Sequence, residues 1–179
     1  MRTAVECGTA VRTLPGQRDG GDVAVLQPYG RGLLAAAIDG VGHGREAAQA
    51  AAAAAAVLMR QPDDSVLRLV ERCHAALRGT RGVVMSLAAF NFLDATMTWL
   101  GVGNVAGVLR RANHLARPAA EFLLLRGGVV GHNLPPLLAS ILPISPGDTM
   151  LLATDGISGG FWQSARLDEA PQALADRML

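Results

Sequence analysis

Leu33-Leu34-Ala35-Ala36-Ala37-Ile38-Asp39-Gly40-Val41-Gly42-His43-Gly44-Arg45-Glu46-Ala47-Ala48 passes from an apolar run through an aspartate into glycines and then into alanine-dominated sequence. The pattern reads as strand, ligand loop, helix. An acidic side chain fixed at the end of a buried strand, beside residues that let backbone come close, suits a cation or a phosphate carried by one. Thr149-Met150-Leu151-Leu152-Ala153-Thr154-Asp155-Gly156-Ile157 repeats the first half of the pattern, an apolar strand ending in Asp-Gly. Two such aspartates, far apart in sequence, can meet across one sheet system and hold a divalent metal between them.

Working outward, residues 4–13 have a strand-like pattern that ends at the turn signal Leu14-Pro15-Gly16, and residues 17–22 form a polar, glycine-rich approach to a strand at 23–26. Asp22 therefore stands at the mouth of that strand. Tyr29-Gly30-Arg31-Gly32 predicts a hairpin turn into the 33–38 strand. Residues 45–60 are rich in alanine, the best helix former, and Gln61-Pro62 ends the helix. A second helix is expected over 65–77, capped by Asp64, with Val66, Leu69, Val70, Cys73 and Leu77 on one face. Both helices should cover the same face of a sheet.

After the break at 78–82, residues 83–90, 96–102 and 105–110 predict three strands of a meander joined by short turns. Further strands are expected at 121–125 and 137–142, separated by a glycine-rich loop at 126–131. The turn at 144–148 launches the 149–154 strand, and a last helix is expected over 168–178 with Asp168 as its cap. Strands, two helices, strands and a helix indicate an α+β chain with helices layered on mostly antiparallel sheets.

The length of 179 residues fits one domain with a substantial core, and half the residues are hydrophobic. A formal charge of +1 provides no field for nucleic acid or an acidic membrane. Cys7 and Cys73 are expected to be free buried thiols, which suits a reducing compartment. The N-terminus lacks the apolar core of a signal peptide and no apolar run reaches membrane-spanning length, so a cytoplasmic protein is expected. The chain contains no lysine, which excludes a Walker-type phosphate loop and a Schiff-base enzyme. Gly156-Ile157-Ser158-Gly159-Gly160 mimics a nucleophile elbow, but all four histidines precede the serine, whereas that fold needs one after it. Gly40-Val41-Gly42-His43-Gly44 mimics a dinucleotide loop with the wrong glycine spacing and an aspartate where pyrophosphate would be repelled.

Asp22, Asp39 and Asp155 each stand at a strand end beside a glycine. Hard oxygen ligands of this kind suit magnesium or manganese rather than zinc. A pair of such ions, roughly 3.5–4 Å apart, acidifies water and neutralises phosphoryl oxygens, so no covalent enzyme intermediate is needed. His43, Arg78 and Arg81, near the loop and the following break, are candidate contacts to a substrate phosphate.

Gly21-Asp22, the 37–44 loop with its helix, residues 78–82, Gly101-Val102-Gly103-Asn104, Gly147-Asp148 and Thr154-Asp155-Gly156-Ile157 occur in an order that resembles the metal-dependent protein phosphatase 2C superfamily, and within it the short bacterial group of sporulation protein E type and its RsbX-like stressosome branch. The resemblance implies an αββα sandwich, two central and mostly antiparallel sheets flanked by helices. It implies hydrolysis of phosphoserine or phosphothreonine with two manganese or magnesium ions. In that scheme Asp39 bridges the metals, Gly40 contributes its backbone carbonyl, Asp155 ligates one metal and Asp22 holds metal-bound water. The implied partner is a phosphorylated STAS-domain regulatory protein of the stressosome. In one respect the chain departs from the family: a further aspartate is expected on a last strand after Asp155, whereas here Asp168 and Asp176 fall in a presumed helix and the chain stops at Leu179. The last strand of the family is accordingly expected to be missing. The alternative is a catalytically weak or inactive member of the fold, acting as a phosphoprotein-binding or scaffold module.

Overall fold

The structure is a computed structural model that describes residues 5–13, 20–157, 159–166 and 168–179. Strands β1 (Asp22–Tyr29) and β2 (Gly32–Gly40) form a hairpin around Gly30-Arg31, in register from Asp22 opposite Asp39 to Tyr29 opposite Gly32. Helix α1 (Arg45–Arg60) carries Glu46 in its first turn and Arg60 in its last, each sign where the helix dipole favours it. It buries Ala47, Ala50, Ala51, Ala54, Ala55 and Leu58 at three- and four-residue intervals. Alanine at all but one of these positions lets the helix lie close to the sheet. Helix α2 (Val66–Ala76) buries Val66, Leu69, Val70 and Cys73, with Leu77 just beyond its end.

Strands β3 (Val83–Asn91) and β4 (Thr96–Val102) continue the first sheet antiparallel to β2. Past β4 the chain changes sheets at Gly103-Asn104, and β5 (Ala106–Arg110) lies between β6 (Ala120–Phe122) and β9 (Thr149–Ala153). Two short strands share the outer edge of β4: β7 (Leu125–Arg126) runs parallel to Gly101 and Val102, and β8 (Ser140–Pro143) pairs antiparallel with residues 96–99. Among the described residues this makes a six-stranded and a three-stranded sheet. Helix α3 (Pro171–Met178) follows the second sheet.

The two faces of the first sheet differ. Leu34, Ala36, Ile38, Met85, Leu87, Leu100 and Val102 pack with α1 and α2 into one apolar cluster. Each fully buried leucine there contributes about 2 kcal/mol of transfer free energy. The opposite face supplies Ala88, Met97 and Trp99, which meet Leu109 and Leu123 in a smaller cluster between the sheets. Buried Ser86, also on that face, donates its hydroxyl to the Val105 carbonyl at 2.6 Å and so ties down the crossing into β5.

Several sequence expectations need correction. Described residues 5–13 form no strand, and Thr9 instead exchanges hydrogen bonds with the Gln172 side chain on α3. The turn at 14–16 and the approach at 17–19 lie outside the described residues. Cys73 is buried, but Cys7 is exposed because its segment joins no sheet. Ser65 rather than Asp64 caps α2, its hydroxyl accepting from the Arg68 N–H, while Asp64 pairs with Arg72 at 2.9 Å. The expected three-strand meander breaks after β4, because β5 pairs in the other sheet. The strand expected at 121–125 divides into β6 and β7, one in each sheet, and that at 137–142 begins only at Ser140. Helix α3 starts with Pro171 after Ala170, whereas Asp168 pairs with Arg166 at 3.1 Å instead of capping it.

Candidate metal centre

Alternation along the strands aims the acidic side chains. Val23 and Val25 of β1 and Leu34, Ala36 and Ile38 of β2 face the helices. Asp22 and Asp39 therefore face the second sheet, directly opposite each other in register. β2 lies against β9, and just past the end of β9 the Thr154 hydroxyl donates to Asp22 Oδ2 at 3.1 Å. The Asn104 amide donates to Asp155 Oδ2, also at 3.1 Å. One bond joins the acidic pair of the first sheet to the second; the other fixes Asp155 to the crossing anchored by Ser86.

Asp39 feels the other two aspartates. Asp39 is pushed up to about 6, first by burial, then by the negative charges of Asp22 and Asp155, and last by a hydrogen bond with Asp22. Among the described residues no arginine forms an ion pair with any of the three. Like charges gathered at one rim without a cation, all with oxygen donors, fit a hard divalent ion. Among the described residues no three acidic, histidine or cysteine side chains close around a single point, so an ion held here would complete its shell with backbone carbonyls or water. Hard cations accept both.

Gly40 donates its N–H to the Gly21 carbonyl at 3.0 Å, and its own carbonyl oxygen and Asp39 Oδ1 both lie within 4 Å of where a Cβ on Gly21 would stand. Its lack of a side chain has a separate cause: a Cβ there would collide with the backbone of Ala47 in the first turn of α1. Gly42 and Gly44 have φ of 92° and 79°, the left-handed region that favours glycine, so the loop itself demands them.

Of the candidate phosphate contacts, Arg81 lies over the loop, its Nη1 2.7 Å from where a Cβ on Gly42 would stand, and it pairs with Glu46 at 2.5 Å. His43 and Arg78 are exposed and make no hydrogen bond among the described residues. Asp148 is structural: it accepts from the Ala112 and Ser145 N–H groups and pairs with Arg111 at 3.0 Å, holding the turn before β9. Asp168 and Asp176 are taken up by Arg166 and Gln172. Beside Asp39 a shallow groove of about 510 Å³ opens between Val41, Val84 and Val129, over Gly103, Asn104 and Gly127.

Thr154 and Asn104 are the contributors that sequence reasoning did not single out. Each lies within a quoted glycine motif, but their partners lie 132 and 51 residues away. The signal available was only that both stand at the ends of strands that end in glycine or aspartate.

The family model described as Stage II sporulation protein E (SpoIIE) matches residues 29–177. Phosphoserine phosphatase RsbX of Bacillus subtilis (strain 168) is 30% identical over 89 residues, taking in 50% of this chain and 45% of that protein. The chain thus spans about half the length of the curated relative it matches. A solved structure from a description of the bacterial stressosome as a modular system adapted to control secondary messenger signalling superposes with a TM-score of 0.86 at 27% identity, over 96% of this chain and 89% of that one. RsbX in complex with magnesium superposes with a TM-score of 0.79 at 21% identity, over 91% and 80% of the two chains. The α+β fold of the phosphatase 2C superfamily, expected from the motif order, is the one these structures share.

Proposed function

The chain belongs to the SpoIIE family, and from that premise we propose that it is a metal-dependent serine/threonine phosphatase, hydrolysing phosphoserine or phosphothreonine on a bacterial regulatory protein. The observation that carries this reading is the convergence of Asp22 and Asp39 from one sheet with Asp155 from the other, with no ion-pair cation among the described residues. Asp39, Asp155, Asp22 and the Gly40 carbonyl would hold manganese or magnesium, and RsbX, described in complex with magnesium, supports that class of ion. When bound, the ions supply the positive charge that acidifies water and offsets the charge on phosphoryl oxygens. The residues of the chain itself arrange the site: Thr154 donates to one oxygen of Asp22 and Asn104 to one oxygen of Asp155. Water adds to phosphorus, the bond to the serine or threonine oxygen breaks, and that oxygen takes up a proton.

The stressosome setting of one similar structure and the RsbX relationship support a phosphorylated STAS-domain protein as substrate. The absence of any helix long and apolar enough to cross a membrane, among the described residues, is compatible with action in the cytoplasm.

Purified protein should hydrolyse p-nitrophenyl phosphate or a phosphopeptide with manganese, and Asp39→Ala or Asp155→Ala should abolish the reaction. Unchanged turnover in the Asp39 variant would sink the assignment. The second reading, a phosphoprotein-binding or scaffold module, is favoured by the lack, among the described residues, of three acidic, histidine or cysteine side chains closing on one point. Calorimetric titration with manganese separates them, since a scaffold would show no binding heat.

A further inference from the structure

The groove that begins at Asp39 has a character of its own. Val41, Val84 and Val129 line it together with glycines, and the Arg81 guanidinium that stands over Gly42 at its edge is paired with Glu46. Val41 is 36% exposed, a large apolar side chain left in solvent at the lip of an acidic site. The far wall is already rigid, because the Val129 N–H donates to the Asn133 carbonyl and Val130 bridges to Val83 at the start of β3. At Gly127 a Cβ would find nothing within 4 Å, so the surface there lies open for another chain to approach.

We propose that this groove seats the polypeptide flanking the phosphorylated residue, and that it selects substrates with apolar, uncharged side chains beside the phosphate. The inference rests on the phosphatase reading and specifies the substrate class of that site. Continuity identifies the occupant: Asp39 is itself part of the lining, so whatever lies in the groove adjoins the reacting phosphate. Charge limits its composition. A charged neighbour would have to shed water against three valines, with Arg81 beside the groove already paired to Glu46, and a basic one would also compete with the divalent ions for the carboxylates. Valine-sized side chains against Val41, Val84 and Val129 exchange water for apolar contact in a wall that needs no reordering.

The test uses phosphoserine peptides of one length with valine, glutamate or arginine on both sides of the phosphoserine, and p-nitrophenyl phosphate as a substrate with no flank. The valine peptide should exceed both charged ones in kcat/KM by about tenfold or more. Gly127 lies outside the left-handed φ region and has free space above it, so Gly127→Leu should fold. It should lower the preference for the valine peptide over p-nitrophenyl phosphate by about tenfold, through KM rather than kcat. Equal rates on all three peptides, or a preference that survives Gly127→Leu, would overturn the groove while leaving a phosphatase. Failure of the wild-type protein to hydrolyse p-nitrophenyl phosphate with manganese would overturn the phosphatase reading, and the groove with it.

Discussion

The two layers on either side of the large sheet are held by different forces. Between that sheet and helices α1 and α2 the cohesion is apolar, from Leu34, Ile38, Leu58, Leu69, Leu87 and Leu100, all fully buried. Between the sheets, Ala88, Met97, Trp99, Leu109 and Leu123 form the buried cluster among the described residues, and residues 149–152 of β9 stay half-buried. Polar links compensate there: Arg111, whose side chain is 12% exposed, pairs with Asp148 and Glu121 and donates to the Pro143 carbonyl, while Arg110 donates to the carbonyls of Trp162 and Ala165. The acidic pair sits on the firmly packed layer and Asp155 on the ion-paired one. The structure therefore separates what keeps the protein folded from what keeps the site in shape.

The largest test of that contrast is a pair of variants. Leu69→Ala should lower unfolding free energy by about 2–5 kcal/mol, whatever the salt concentration. Asp148→Ala should lower it by about 3 kcal/mol, because Arg111 loses a partner while largely buried. Urea titrations at low and high salt measure both, and a silent Asp148→Ala would show that the second layer does not depend on its ion pairs.

A middle-sized effect is expected at the links between layers. Thr154→Val and Asn104→Leu should each weaken manganese affinity about tenfold in calorimetry, as loss of an outer-shell partner does. Thr154→Ser, which keeps the hydroxyl, should restore it. Melting of the metal-free protein should hardly change. If affinity is untouched while melting falls, the two residues serve packing alone.

The smallest effect concerns pH. The folded-state value of Asp39, about 6, lies above the ordinary 3.8, so between those values the folded state holds a proton that the unfolded state releases. Metal-free stability should therefore fall as pH rises from about 4 to about 6. Divalent ions displace the same proton, so the thermal shift from manganese should be larger at pH 7.5 than at 5.5. A manganese shift of the same size at both values would mean that Asp39 does not meet the ion.

Local signals carried much of this into the sequence. The α1 boundaries were legible because an alanine run meets Gln61-Pro62, and the three aspartates because each interrupts an apolar strand with glycine beside it. The first hairpin turn was legible in Tyr29-Gly30-Arg31-Gly32. What stayed hidden depends on distant partners. Nothing in the chemistry of residues 105–110 says that they leave β4 for a second sheet, since alternation is the same in either. The choice of Ser65 over Asp64 as cap turned on a one-residue difference in where α2 begins, and both side chains are good caps. Thr154 and Asn104 could not be singled out because a hydroxyl or an amide at a strand end usually finds water.

The close approach of α1 to β2 at Gly40 bears on how relatives should be compared. The obstacle to a side chain at position 40 is the backbone around Ala47, which no choice of rotamer can move aside. A library randomised at position 40 and screened only for soluble expression should return glycine, even in a background whose aspartates have been removed. An invariant glycine at this point of an alignment thus records how tightly a helix docks, and is no vote for or against chemistry at the neighbouring carboxylate.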